Sequence, residues 1–383
     1  MKKFAAVTAL GFLLLMSFGI FGCGKTDETE KPIEPAPQEE IQPDEEEKKI
    51  EPGMEWEGVE LDEETLSLDL TERNIKDLSP LAVCRNLRNL NLSDNQVEDL
   101  SVLADLTSLK KLNLAHNQIT DITPLAGLTN LTELELLDNQ VSDLSALENL
   151  AQLQVLGLWS NEIKDIQPLA GLSNLSRLFL GENHLENLEP LKGLSNLTWL
   201  DIRANNLSDI EVIASLQGLQ HFNAQRNKIS DVSPLADLKN LTKLHLSENS
   251  IQNISPLADL TGLSELYLDS NRIDSIQPLK NLVNLEKLGL FENHLTDLQG
   301  ISGMEILKML DAENNQLEDI SGLYGMKNLK EIYLENNQIS DVSVLKNMVS
   351  LERVYLNGNP LADGQMEALE KTLPKCNISY EAE

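Results

Sequence analysis

The chain has 383 residues, with 62 acidic against 30 basic residues and a formal net charge of -32. This excess of negative charge disfavours any role that depends on attraction to nucleic acid or anionic lipid, so we predict no nucleic-acid partner. The three cysteines, Cys23, Cys84 and Cys376, are too few and too widely spaced for a disulfide framework or a zinc knuckle. Each cysteine therefore needs its own explanation.

Residues 1–22 have the organisation of an export signal. Two lysines precede an uncharged apolar run from residue 4 to residue 21, and Gly22 and Cys23 follow it. The segment Ile20-Phe21-Gly22-Cys23 resembles the lipobox of bacterial lipoproteins. That resemblance implies cleavage before Cys23, lipidation of its sulfur and a position on the extracytoplasmic face of the cell membrane. The alternative is an uncleaved transmembrane anchor, which also places the rest of the chain outside the cytoplasm.

Residues 23–55 form an acidic segment rich in proline and almost without apolar side chains. Such a composition cannot bury a core, and its like charges repel one another. We therefore predict a disordered, extended linker between the membrane and the folded domain. The folded domain is predicted to span residues 56–383.

From residue 73 onward one pattern repeats every 22 residues, and its marker is an asparagine. One repeat supplies Leu87, Leu90, Leu92, Asn95, Val97, Leu100, Leu103 and Leu106. The marker asparagines are Asn95, Asn117, Asn139, Asn161, Asn183, Asn205, Asn227, Asn249, Asn271, Asn293, Asn315, Asn337 and Asn359. Periods of this length are typical of solenoids, in which each repeat is one structural unit.

The pattern L-x-x-L-x-L-x-x-N-x-I-x-x-I-x-P-L resembles the leucine-rich-repeat superfamily, and the 22-residue version is similar to the repeats of internalins. The resemblance implies an α/β solenoid of about 14 turns, wound as a right-handed superhelix. Its parallel strands line the concave face, and short turns or 3₁₀ helices form the convex face. Such a solenoid needs a cap at each end. Residues 56–72 are predicted to form the N-terminal cap, and residues 363–380 the C-terminal cap, with a helix over 363–372.

The spacing of the leucines agrees with this fold. Leu90 and Leu92 are two residues apart, so both point into the core from one short strand, while Asn89, Asn91 and Ser93 face the other way. The marker asparagine needs donors and acceptors inside the coil, because the chain bends there and leaves backbone groups unsatisfied. An acid four residues later, such as Asp99, is predicted to accept amide hydrogens in the outer segment. Cys84 and Cys376 fall on core positions and are predicted to be buried.

No nucleophile elbow, P-loop, HExxH motif or paired CxxC motif occurs in the sequence. His221 and His245 face the concave side on adjacent turns near Asp201 and Asp269, an arrangement that could be drawn as a metal site. Two solvated histidines on a polar sheet are the simpler interpretation. We therefore predict no enzymatic activity, no cofactor and no metal.

Aromatic residues mark the predicted binding surface. Aromatics are only 4% of the chain, yet most of those within the repeats fall on the three strand positions that face away from the core. They are predicted to be exposed there, and exposed aromatic clusters usually mark interaction surfaces. The predicted partner-binding residues are Leu137, Trp159, Phe179, Trp199, Tyr267, Phe291, Tyr333 and Tyr355.

Two kinds of partner fit such a surface. The first is an extracellular protein anchored on the aromatics and surrounded by a polar rim. The rim residues are Glu133, Glu135, Arg177, Asp201, Arg203, Lys243 and Glu265. The second is a glycan or cell-wall polysaccharide whose sugar rings stack on flat aromatic faces. The mixed charges of the concave side favour the protein, and the glycan stays as the alternative.

Overall fold

The computed structural model describes residues 54–381, and within them the chain forms one large parallel sheet and one small hairpin. The hairpin strands are β1 (Met54–Trp56) and β2 (Val59–Leu61). The parallel sheet has 15 strands in chain order. They are β3 (Ser67–Asp69), β4 (Asn89–Asn91), β5 (Lys111–Asn113), β6 (Glu133–Glu135), β7 (Val155–Gly157), β8 (Arg177–Phe179), β9 (Trp199–Asp201), β10 (His221–Asn223), β11 (Lys243–His245), β12 (Glu265–Tyr267), β13 (Lys287–Gly289), β14 (Met309–Asp311), β15 (Glu331–Tyr333), β16 (Arg353–Tyr355) and β17 (Asn377–Ser379).

A short 3₁₀ helix forms the opposite side of each repeat. These helices are Ser79–Val83, Ser101–Asp105, Thr123–Gly127, Ser145–Leu147, Gln167–Leu169, Glu189–Gly193, Glu211–Ser215, Ser233–Leu235, Ser255–Leu257, Gln277–Asn281, Gln299–Ile301, Ser321–Leu323 and Ser343–Asn347. Proline stands in the first turn of seven of them, where its fixed φ suits the turn and no strand loses a donor. The predicted fold class is confirmed.

Neighbouring strands pair in register, one repeat apart. Leu90 faces Leu112, which faces Leu134, and the same pairing continues along the sheet. The apolar side chains between sheet and 3₁₀ helices form one continuous buried core. Because each repeat buries its leucines only against its neighbours, stability comes from stacking along the whole solenoid.

The marker asparagines form the predicted ladder. Asn205 shows the pattern: its Oδ1 accepts the backbone N–H of Leu185 at 2.9 Å, and its Nδ2 lies 3.0 Å from the carbonyl oxygens of Leu180 and Ile202. Most of these asparagines are buried. The ladder therefore satisfies backbone groups at the bend where no strand partner exists.

The acids of the outer segment also act as predicted. In most repeats an aspartate accepts the amide hydrogen two residues later, as Asp99 does from Ser101 at 2.8 Å. Asn187 and Asn253 take the same role in their repeats. The same spacing predicts this role for Asp363, four residues after Asn359, but the backbone N–H of Gln365 donates to the Ala362 carbonyl instead, because the C-terminal helix begins there.

Both ends of the core are covered. At the N-terminal end the hairpin brings Trp56 and Val59 against the core, and Arg73, which replaces the marker asparagine, donates to the carbonyl oxygen of Glu57. At the C-terminal end the helix α1 (Gln365–Thr372) buries Leu369, and β17 completes the sheet. The helix starts two residues later than predicted, after Gly364 at φ 76°.

The two described cysteines are unpaired. Cys84 is fully buried as predicted, whereas Cys376 is only half-buried, because it precedes the last strand instead of lying within it. None of the helices between residues 54 and 381 has the length and apolar character needed to cross a bilayer. The predicted signal segment, Cys23 and nearly all of the predicted linker lie outside the described residues.

Candidate binding face

The candidate site is the concave face, which is the side of the parallel sheet turned away from the core. Each strand presents three side chains there, at six, four and two residues before the marker asparagine, and these positions form a first, second and third column along the solenoid. Trp199 lies in the first column. The second column holds Phe179, Tyr267, Tyr333 and Tyr355, and the third holds Leu137, Trp159 and Phe291.

The structure brings four of the predicted residues together, and we call Leu137, Trp159, Phe179 and Trp199 the central aromatic patch. The rings of Phe179 and Trp199 have centroids 6.0 Å apart, and the Trp199 ring lies 4.2 Å from that of His221. Leu137 and Trp159 occupy the third column on consecutive repeats and are both half-buried. The four consecutive repeats of β6 to β9 therefore each present one large apolar side chain on the concave face, and three of the four, Leu137, Trp159 and Trp199, are partly exposed.

Trp159 is held in place by its neighbours. Its ring lies over Gly181 of the next repeat, where a methyl group would overlap the indole, and the Arg203 guanidinium carbon lies 4.9 Å from the ring centroid. The indole Nε1 is buried without a hydrogen-bond partner in the described part of the chain. The absence of a side chain at Gly181 thus leaves the space that the tryptophan ring occupies.

The predicted exposure of the aromatics is wrong for Phe179 and Tyr267, which are only 4% and 7% exposed. Both lie on the concave face, but neighbouring side chains cover them. Tyr267 packs against His245 with ring centroids 4.3 Å apart and leans over Gly289 of the next repeat. Burial raises the pKa of the Tyr267 hydroxyl.

The remaining predicted aromatics lie apart from the central aromatic patch. Tyr333 and Tyr355 stack face to face near the C-terminal cap, with centroids 4.8 Å apart and an interplanar angle of 5°. The Tyr333 hydroxyl donates to Glu331 at 3.1 Å, and burial, aided by the Glu331 charge, raises its pKa to about 12. Phe291 is half-buried on the repeat of β13. The eight predicted residues therefore do not form one continuous surface. They form the central aromatic patch, the pair of Tyr333 and Tyr355, and two separate positions, Tyr267 and Phe291.

Basic residues of the concave face are mostly paired with acids on adjacent strands. Lys111 lies 2.8 Å from Glu133, and Lys243 and Lys287 lie 3.1 and 3.8 Å from Glu265. The other pairs are Arg353 with Glu331 at 3.3 Å and Arg203 with Asp201 at 3.5 Å. Arg177 differs: it is exposed and, within residues 54–381, has no carboxylate oxygen within 4.0 Å.

Four acids between β12 and the loop after β15 have no ion pair with any described residue, and we call Asp269, Asp311, Glu313 and Glu335 the acidic strip. Burial, followed by the charge of Asp269, raises the pKa of Asp311 to about 7. Burial and the nearby Glu335 raise the pKa of Glu313. The sequence alone did not single out the last three of these residues, although the run of acids in the second and third columns was visible there.

Burial disfavours the charged form of the two histidines considered as metal ligands. Burial, with help from the positive charge of Lys243, lowers the pKa of His245 to about 3 and also lowers that of His221. Burial raises the pKa of Asp201 to about 6. No group of three histidine, cysteine or acidic side chains in the described chain is arranged to hold a metal ion.

Sequence profiles of known families match the repeats. The profile described as leucine-rich repeats (two copies) matches residues 107–149, 151–193, 239–281, 307–347 and 327–371, which together span more than half of the chain. A single leucine-rich repeat profile matches residues 83–104. The chain belongs to the leucine-rich-repeat family.

Among solved structures, an internalin (inlF) from Listeria monocytogenes is similar, with 30% identity, a TM-score of 0.71, and coverage of 84% of this chain and 88% of that one. A leucine-rich-repeat protein from Leptospira interrogans has 28% identity, a TM-score of 0.76, and coverage of 80% and 81%. The ectodomain of the Arabidopsis thaliana receptor kinase GASSHO1/SCHENGEN3, solved with CASPARIAN STRIP INTEGRITY FACTOR 2, has 27% identity, a TM-score of 0.66, and coverage of 80% and 43%. No relative with a curated function matches by sequence.

Proposed function

We propose that the chain is a lipid-anchored binding protein of the cell surface, without enzymatic activity, whose concave face binds a protein ligand. The observation that carries this proposal is the central aromatic patch, where Trp159 and Trp199 present partly exposed rings on a rigid sheet. Tryptophan is enriched among the residues that dominate protein interfaces. The sheet holds the rings in place before binding, so little conformational entropy is lost on association.

The packing of the rings favours a protein over a glycan. Stacking on a sugar needs an open aromatic face, whereas the Arg203 guanidinium lies over the Trp159 ring, and Tyr333 and Tyr355 cover one face of each other. Phe179 is buried. Ring edges and flanking charges remain accessible, and these suit the irregular surface of a protein. The plant receptor ectodomain, which is similar in fold, was solved with a bound partner named as a factor.

The binding test compares variants of the full chain. Because Phe179 is buried, its removal would also disturb packing, so the test uses Trp159→Ala with Trp199→Ala. The probes are a displayed library of random 16-residue peptides and an array of purified polysaccharides. We expect peptides selected on the parent chain to lose at least about thirtyfold in affinity for the double variant, since one true anchor contributes about 2 kcal/mol.

The matched control is Gln167→Ala with Gln277→Ala, two changes on the 3₁₀ side. These should leave peptide affinity unchanged. Peptides that bind the double variant as well as the parent would overturn the aromatic site. Binding to polysaccharides without any selected peptide would replace the protein ligand with the glycan.

The lipid anchor is tested by Cys23→Ala. In the lipoprotein pathway that the Ile20-to-Cys23 segment resembles, lipid transfer and cleavage both depend on the cysteine thiol. We therefore expect the variant to keep its full length and to incorporate no radiolabelled fatty acid, while the parent chain and Cys376→Ala incorporate it. A parent chain without label would refute the anchor.

A further inference from the structure

We propose that the concave face binds an extended protein segment with opposite charges at its two ends, an acidic residue over Arg177 and basic residues over the acidic strip about nine residues away. This inference rests on the proposed function and specifies the chemistry of the protein ligand. It follows from the unpaired charges of the concave face, their surroundings and their spacing. A partner with this charge pattern would form ion pairs with charged side chains that have none within residues 54–381.

Arg177 is the first of the two ends. The other lysines and arginines of the first column, and also Arg203, each lie within 4.0 Å of an acid. Among the described lysines and arginines of the concave columns, Arg177 is the one without such an acid. In the sheet register Arg177 lies between Val155 and Trp199. An acidic side chain that reached it would therefore be placed beside the central aromatic patch, where apolar contacts exclude water and strengthen an ion pair.

The surroundings of Arg177 are positive, although the whole chain carries a net charge of -32. From β8 to β11 the concave face presents Arg177, Arg203 and Lys243, and its one carboxylate, Asp201, is already bound to Arg203. Both Lys243 and Arg177 contribute to the lowered pKa of His221, after burial. An acidic group is thus attracted to this part of the face and repelled by most of the remaining surface.

The acidic strip is the second end. Asp269 is satisfied by uncharged donors, the Ser247 hydroxyl at 2.8 Å and the Phe291 amide at 3.0 Å, and Glu335 accepts from the Asn357 side chain at 3.0 Å. None of the four carboxylates faces a described base within 4.0 Å, while the charge of Asp269 disfavours ionisation of Asp311. A lysine or arginine from a partner would relieve this repulsion, because an opposite charge favours the ionised form.

The distance between the two ends sets the length of the segment. Arg177 lies on β8 and Asp311 on β14, six steps apart in the strand order. Parallel strands are spaced at about 4.8 Å, so the separation along the solenoid is roughly 29 Å. An extended chain advances about 3.3 Å per residue, which corresponds to about nine residues.

The test uses the full chain and the displayed library of random 16-residue peptides. We expect the parent chain to enrich peptides with an acidic and a basic residue about nine positions apart and an aromatic or aliphatic residue next to the acid. The changes Arg177→Glu and, separately, Glu313→Lys with Glu335→Lys should each weaken these peptides by about tenfold or more. The combined triple variant should enrich peptides with the opposite order of charges relative to the apolar residue.

Matched controls apply the same charge changes elsewhere. Arg85→Glu, and Glu148→Lys with Glu305→Lys, alter exposed residues outside the concave columns and should leave affinity within about twofold. If the tryptophan variant abolishes binding but charge reversal does not, the proposed function stands and the charge pattern is overturned. If the tryptophan variant binds normally, or no peptide is enriched, the proposed function itself fails.

Discussion

The core of the solenoid and its concave face obey different rules. In the core each repeat from β4 to β16 places apolar side chains, most of them leucine, at the same positions and an asparagine at the bend, with hydrogen bonds of nearly the same length from one end to the other. On the concave face no two neighbouring strands present the same three side chains. The difference shows, from one chain, which positions of the repeat are constrained by folding and which are free to vary.

The largest loss of stability is expected from a substitution in the repetitive core, at Asn205. Replacement of Asn205 by Leu leaves the Leu185 amide and the carbonyls of Leu180 and Ile202 without this partner inside the coil. Each unsatisfied buried group costs roughly 1–3 kcal/mol, so we expect unfolding to become easier by about 3 kcal/mol or more. Chemical denaturation of Gln225→Ala, on the concave face of the next repeat, provides the comparison. Equal losses for the two variants would contradict the division into core and face.

An intermediate effect is expected from pH, because the concave face buries carboxyl groups. Burial raises the pKa of Glu135 to about 7 and of Asp311 to about 7. A carboxyl group with a higher pKa in the folded chain stabilises the fold fully below its unfolded pKa, and this contribution is lost as the pH rises through the folded value. His245, with its pKa lowered to about 3, acts in the opposite direction between about pH 3 and 6.5.

We therefore expect Glu135→Gln with Asp311→Asn to gain stability relative to the parent chain between pH 5 and pH 7.5, by at least about 1 kcal/mol. The amide side chains of the variant are neutral at both pH 5 and pH 7.5, whereas the carboxyl groups of the parent chain ionise at pH 7.5. Thermal unfolding at the two pH values measures the difference. The control Gln167→Ala removes no titratable group, so its difference from the parent chain should be the same at both pH values. A similar constancy in the double variant would contradict the burial of these acids.

The smallest effect on stability is expected at Gly181. A methyl group there overlaps the Trp159 ring, so Gly181→Ala should move the indole while costing less than about 1 kcal/mol, because the ring can rotate towards solvent. We expect a red shift of tryptophan emission, and no shift when Trp159 is already replaced by Phe. Gly171→Ala, where a methyl group meets no atom within 4 Å, is the control. Unchanged emission would show that the ring does not lie over Gly181.

The periodic half of the molecule could be predicted almost completely from the sequence. Each repeated feature has one local physical cause that can be recognised within a single repeat. The leucine spacing reflects burial in the core, and the marker asparagine and the aspartate four residues later reflect backbone groups that need a hydrogen-bond partner. The caps were also visible, because Arg73 and Cys376 interrupt the pattern. The start of α1 was missed by two residues, since the left-handed Gly364 displaces the helix beyond Asp363.

The concave face was only half predictable. The register gives which residues are neighbours, but the burial of Phe179 and Tyr267 depends on how side chains lean across strands. The glycines of the sequence indicate where a ring leans over the next strand. Gly181 and Gly289 follow Trp159 and Tyr267 by one repeat in the same columns, and each leaves space for the preceding ring. Likewise, the sequence shows which residues are charged, whereas only the structure shows that Arg177 has no carboxylate oxygen within 4.0 Å among residues 54–381.

The uniform repeat length of 22 residues gives the solenoid a constant spacing between neighbouring strands. Every strand adds the same rise of about 4.8 Å, and the marker asparagine makes the same bonds wherever it occurs. Deletion of one whole repeat between β9 and β13 would therefore leave a shorter solenoid that still stacks in register. It would also shorten the separation between Arg177 and the acidic strip by about 4.8 Å. In the proposed binding mode, the peptide that fits best would then be shorter by one or two residues, so the number of repeats would set the length of the segment that binds.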